Sequence, residues 1–165
     1  LWQAALLQNG CGAMSKYDEM QQKFHALRVA DDSYWDRLVE NQKKLRKGFS
    51  DFLGVDPVKP VLEGNYPALY FGRKPSFTGK SPDDTAREGN ELRFTLNLVI
   101  DPKDSHYPPS TLKLRCHTKF VSNLYLFFIE ESDSSFTTVK DDDFSPIYER
   151  LYNDFMEALA KYERL

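Results

Sequence analysis

"ELRFTLNLVID", residues 91–101, alternates without a fault, with Leu92, Phe94, Leu96, Leu98 and Ile100 against Arg93, Thr95, Asn97 and Val99. Successive side chains of a strand point to opposite faces, so the stretch reads as a β-strand with one face in a core. "STLKLRC" (110–116) repeats the pattern. "NLYLFFIEESDSSFTTVKDD" (123–142) reads as a hairpin, two runs of β-formers around an acidic, serine-rich loop. Residues 91–101, 110–118 and 122–130 are therefore expected to be neighbouring antiparallel strands, packed by Leu96, Leu98, Leu112, Leu114, Leu126 and Phe128. Along the last of them Leu124, Leu126 and Phe128 point one way, and Tyr125, Phe127 and Ile129 the other. Both faces are apolar, and one carries a phenol. The strand alone favours Tyr125 as a core residue over an aromatic platform at the edge of a cleft.

Two helices flank these strands. "DDSYWDRLVENQKKLRKGFSDFLG" (31–54) carries an apolar stripe of Trp35, Leu38, Val39, Leu45, Phe49, Phe52 and Leu53. Asp32 or Ser33 is the expected N-cap, and Gly54 closes the helix. "KFHALRV" (23–29) before it reads as a short strand. "SPIYERLYNDFMEALAKYERL" (145–165) aligns Ile147, Leu151, Phe155, Leu159 and Tyr162 on one helical face. Residues 55–90, rich in proline, glycine and charge, are expected to be loop with one strand at Ala68–Gly72. Strands clustered between helices make an α+β fold.

A chain of 165 residues with 41% hydrophobic and 28% charged residues is long enough for one domain with a sizeable core. No apolar run reaches the length of a membrane span, so no membrane partner is expected. A net charge of −3 confines any nucleic-acid binding to a local basic patch. Cys11 and Cys116 are read as free thiols. Residues 1–13 lack a basic region and a cleavage site and are expected to be a non-native or disordered leader to a domain spanning 14–165. With Met14 as the start, cytoplasmic residence follows. The helix reaching Leu165 without a capping glycine suggests truncation there.

Most local motifs reduce to ordinary structure. "TGKS" (78–81) lacks the earlier glycine of a phosphate loop, since position 74 is Lys. Asp141–Asp143 reads as a solvated turn, and Cys116, His106 and His117 have no ligand spacing, so no metal or cofactor is expected. Asp101 and Asp104 lack the Glu-x-Lys that a metal-dependent nuclease would place on the next strand. "KKLRK" (43–47) offers cations for a phosphate contact, but reads first as a solvated helix face.

Taken in order, four pieces resemble the N-terminal half of the ribosome-inactivating proteins. They are Phe24 followed by the "SY"-led helix, "KPVLEG" (59–64), "ELRFTLNLVI", and "STLKLRCHTKFVSNLYLFFIEESDSSFTTVKDD" (110–142). The resemblance implies the family's α+β fold, a mostly antiparallel sheet with flanking helices. It also implies the family's reaction, hydrolysis of one adenine from large-subunit ribosomal RNA, with the ribosome as partner. Such an enzyme unstacks its base, and an aromatic ring suits that task. By resemblance Tyr125, in its Asn-x-Tyr setting, is the first base-stacking residue, and Tyr148 in "IYERL" is the second. Tyr148 follows sooner than in the family, and Ser145-Pro146 replaces a glycine-rich approach. The catalytic glutamate and arginine, one helical turn apart, are not found: Glu157 is followed three residues on by Ala160. The alternative is a non-catalytic homologue, or a small α+β binding module for a base, RNA or protein.

Overall fold

Ser15 begins the first helix with a reciprocal cap. Its hydroxyl accepts from the Asp18 N–H at 3.1 Å, while Asp18 Oδ2 accepts from the Ser15 N–H at 3.1 Å and from its hydroxyl at 2.7 Å. In a computed structural model, described over residues 14–56, 59–62, 66–72, 85–100, 110–130, 132 and 135–162, helix α1 then runs unbroken through Lys16–Leu53. "KFHALRV" is thus helical, not a strand, and the cap lies well before Asp32. The reason is local: residues 16–47 contain neither glycine nor proline, and good helix formers dominate. The far end follows expectation. Gly54 takes φ 72, its N–H donates to Asp51 O at 3.1 Å, and Val55 N–H donates to Ser50 O at 2.9 Å. Those two bonds form a Schellman closure.

The chain divides into two compact units, Leu1–Asp36 and Arg37–Leu165. In the first, Trp35 Nε1 donates to Asp31 at 3.2 Å, and Tyr34 meets the indole edge-on. The second holds the sheet. A two-stranded ribbon pairs β1 (Pro60–Leu62) with β2 (Tyr66–Pro67). The main sheet contains β3 (Leu69–Phe71), β4 (Ala86–Glu88), β5 (Glu91–Val99), β6 (Thr111–Val121), β7 (Leu124–Ile129) and β8 (Thr137–Val139). Its order is β3-β5-β6-β7-β8, with β4 also paired to β5, and every pairing is antiparallel. The coarse α+β reading and the three central strands hold.

The choice of packing face on β7 does not. Cys116 lies opposite Ile129, and Thr118 opposite Phe127. This register places Tyr125, Phe127 and Ile129 on the core face with Leu92, Phe94, Leu96, Leu112 and Leu114, all buried. Leu126 and Phe128 fall on the other face, where Leu126 is still buried and Phe128 stacks on His117 at 4.5 Å. That face also carries Arg93, paired with Glu88 at 3.0 Å and Glu91 at 3.1 Å. Asn97, read as an outward polar position, is buried instead. Its amide donates to Gly72 O at 2.7 Å and so ties the end of β3 to β5.

Helix α2 (Ser145–Tyr162) packs on α1 through aromatic rings: Phe49 lies 6.1 Å from Phe155 and 6.2 Å from Tyr148. Leu38, Leu45, Ile147 and Leu151 are fully buried, each worth roughly 1.5–3 kcal/mol. At the closest approach a Cβ on Gly48 would collide with the Tyr148 hydroxyl and ring. Gly48→Ala should therefore destabilise by about 1 kcal/mol, because overpacking of about 1–3 kcal/mol outweighs roughly 1 kcal/mol of helix propensity. In a Tyr148→Ala background the same change should stabilise by about 0.5–1 kcal/mol. Denaturant midpoints around this double-mutant cycle check the pair; equal effects in both backgrounds would mean that the ring yields freely.

Candidate functional site

Within the Arg37–Leu165 unit, three segments meet around a cleft of about 400 Å³. Arg37, Glu40, Asn41 and Lys44 project from one face of α1, as spacings of three, four and seven dictate. The second wall is the β6–β7 turn, with Phe120, Asn123 and Tyr125; the third is the β8–α2 turn, with Val139, Asp141 and Asp142. Both turns have two residues at positive φ: Ser122 at 48° and Asn123 at 65°, Asp141 at 52° and Asp142 at 57°. That is the type I′ pattern, which asparagine and aspartate tolerate best among residues with side chains. Asn123 of the Asn-Leu-Tyr motif is therefore first a turn residue.

The lining is polar and mixed in sign. The Arg37 guanidinium lies 4.2 Å from the Phe120 ring centre, a cation–π contact that fixes its plane. Lys44 Nζ stands 3.7 Å from Asp142 Oδ1. Arg37 and Lys44 face Glu40, Asp141 and Asp142, so the cleft carries one net negative charge. Beside it, Asp143 accepts from the Ser145 N–H at 3.0 Å, and hydrogen bonds from Ser145 hold its carboxyl below the usual carboxylate range. Arg37 and Glu40 stand one helical turn apart on an exposed surface.

Tyr125 lines the cleft but is only 2% exposed, so no face of its ring is open for stacking. It packs against Phe120 at 5.5 Å and Phe144 at 5.8 Å. Its phenol and the Thr118 hydroxyl approach each other inside the core without closing a well-formed hydrogen bond, and burial pushes the phenol's pKa up. Tyr148 lies elsewhere, over Gly48 and between Phe49, Phe52 and Phe144. Burial raises its pKa, with further help from the charges of Asp51 and Asp143. Phe144 stands between the two tyrosines, 6.5 Å from Tyr148, so the structure does not bring them together around one opening.

The remaining sequence candidates separate as well. Cys116 is buried on the core face, and His117 is stacked on the opposite one. Arg46 is buried, which breaks "KKLRK" as a continuous basic surface. Among the described residues no three His, Cys, Asp or Glu side chains are placed to hold a metal ion, and no helix is long and apolar enough to cross a membrane. Residues 1–13, Asp101, Asp104, His106 and "TGKS" lie outside the described residues. Arg37, Glu40 and Asn41 went unread as a site, and Lys44 was read only within "KKLRK"; their shared signal was one helix face, which most surface helices display. No family model, curated protein or solved structure matches the chain.

The burial of Tyr125 reverses the behaviour expected of an exposed platform. Tyr125→Ala should cost about 3–5 kcal/mol, as large aromatic truncations do. Tyr125→Phe should be neutral or stabilising by up to about 1 kcal/mol, because the hydroxyl it removes makes no well-formed bond. Thermal and denaturant unfolding of both variants check this; a small loss in the alanine variant would mean that the ring is not packed as seen.

Proposed function

We propose that this chain is a non-catalytic α+β recognition module whose ligand site is the cleft between α1 and the two type I′ turns. The observation that carries this reading is the cleft's lining. Amide, guanidinium, ammonium and carboxylate groups converge there, and among the described residues that line it there is no serine, cysteine or histidine nucleophile. Such groups orient a ligand by hydrogen bonds, and Glu40, Lys44, Asp141 and Asp142 are all exposed, without the burial that tunes a carboxylate or amine for acid–base or nucleophilic work. The sign of the charge selects the ligand class. One net negative charge in the cleft, on a chain of net charge −3, opposes a phosphate backbone and favours a neutral or cationic polar group of a protein partner.

A second reading keeps the resemblance to the ribosome-inactivating N-glycosidases. Arg37 and Glu40, one turn apart beside Tyr125, are the observation that favours it. It is the weaker reading, because both side chains are exposed and neither gains from desolvation.

The two readings part in one titration of the full chain. The side-chain amides of Asn41 and Asn123 are followed by NMR against a lysine- and arginine-containing peptide, a short single-stranded RNA, and adenine. The peptide should shift both amides, and Glu40→Gln with Asn41→Ala should weaken it by about ten-fold or more. A salt-dependent RNA response in the cleft would displace the proposal. Adenine release from intact ribosomes, lost in Glu40→Gln, would establish the second reading instead.

A further inference from the structure

On the Leu1–Asp36 unit, Tyr17, Met20, Phe24 and Leu27 recur at spacings of three and four along α1, and are 67%, 69%, 64% and 70% exposed. They form one stripe about 15 Å long, at 1.5 Å per residue. An uncovered row of four large apolar side chains on a surface helix is the mark of an interaction surface. We propose that this stripe docks an amphipathic helix of another protein, whose apolar seam is flanked by glutamate or aspartate.

The charge pattern selects that occupant. On the helix the cations Lys16, Lys23 and Arg28 border the stripe, whereas Asp18 and Glu19 point away from it. A second copy is disfavoured in either orientation. A parallel pair sets Lys23 toward Arg28 of its mate, and an antiparallel pair sets Lys23 against itself. An anionic bilayer is disfavoured too: it would lie along the whole helix, where Asp31 follows Leu27 by one turn on the same face, whereas a docked helix meets only the Tyr17–Leu27 stretch and its cationic border. A helix with acidic flanks satisfies both the stripe and its border. Lys23 now holds Glu19 at 2.9 Å, an exposed pair that exchanges readily for a partner's carboxylate.

The test uses the full chain and two fluorescent synthetic helices with the same leucine seam, one flanked by glutamate and the other by lysine. The acidic helix should bind at least about ten-fold tighter, with the preference shrinking as salt is raised. Phe24→Ser should abolish binding without changing the unfolding midpoint, because the ring is exposed. The double reversal Lys23→Glu with Arg28→Glu should exchange the preference between the two helices. Equal binding of both peptides, or an unaltered affinity in Phe24→Ser, overturns the proposal. So does a concentration-dependent dimer by sedimentation, or adsorption to anionic vesicles, if Phe24→Ser removes it.

Discussion

The two-residue turn at Ser122–Asn123 sets the register on which the rest of the compact unit depends. Both faces of β7 are apolar, so hydrophobic pattern alone does not decide which one enters the core. A slip of one residue would exchange Tyr125, Phe127 and Ile129 for Leu124, Leu126 and Phe128 at similar apolar area. The turn removes that freedom. With Val121 and Leu124 locked opposite each other, β6 and β7 pair residue by residue to Cys116 and Ile129. Type I′ geometry matches the twist of the strands, and asparagine accepts its left-handed backbone at low cost. The polar residues of β6 agree with this choice, since Arg115, His117 and Lys119 then share the face opposite the core.

Once that face is fixed, the helices have little choice. The core side of β6 and β7 presents Leu112, Leu114, Cys116, Thr118, Tyr125 and Phe127, and α2 is set against β6 and β8. The approach of α2 to α1 uses Gly48, where the Tyr148 ring passes over a backbone that carries no side chain. The start of α2 is held by Asp143, which accepts from Ser145, directly after the Asp141–Asp142 turn. The cleft is a by-product of these constraints. Two turns end at the same edge of the unit, and α1 crosses beside them.

Legibility in the sequence follows how local each signal is. β5, β6, β7, α2 and the Gly54 closure were readable because a period of two, a period of 3.6 or a single glycine carries them. The strand reading of residues 23–29 failed because seven residues with three or four apolar ones fit either period. The deciding signal was upstream, in Ser15 and Asp18, with aspartate in place of the glutamate usual at that cap position. β4 was missed although Gly89-Asn90 is a hairpin dipeptide, because its three exposed residues show no alternation. The cleft was not legible at all. Its lining comes from positions 37–44, 120–125 and 139–142, and nothing in any one segment announces the other two.

Tyr125 and Tyr148 show how a resemblance in residue order differs from one in geometry. Base stacking needs a ring face open to solvent before the ligand arrives, and a gap wide enough for a second ring. Here the space between the two tyrosines holds Phe144, in contact with both. A base entering there would have to expel a buried phenylalanine, at a cost of the same order as the roughly 3–5 kcal/mol of a large aromatic truncation. Stacking returns about 1–3 kcal/mol per base. The exchange is unfavourable unless a conformational change is driven from elsewhere, for example by binding at the cleft beside Asn123. The exposed groups of that cleft require no such expulsion, which supports the proposal that a ligand is recognised by Arg37, Asn41 and the two turns, while the two tyrosines pack against neighbouring rings.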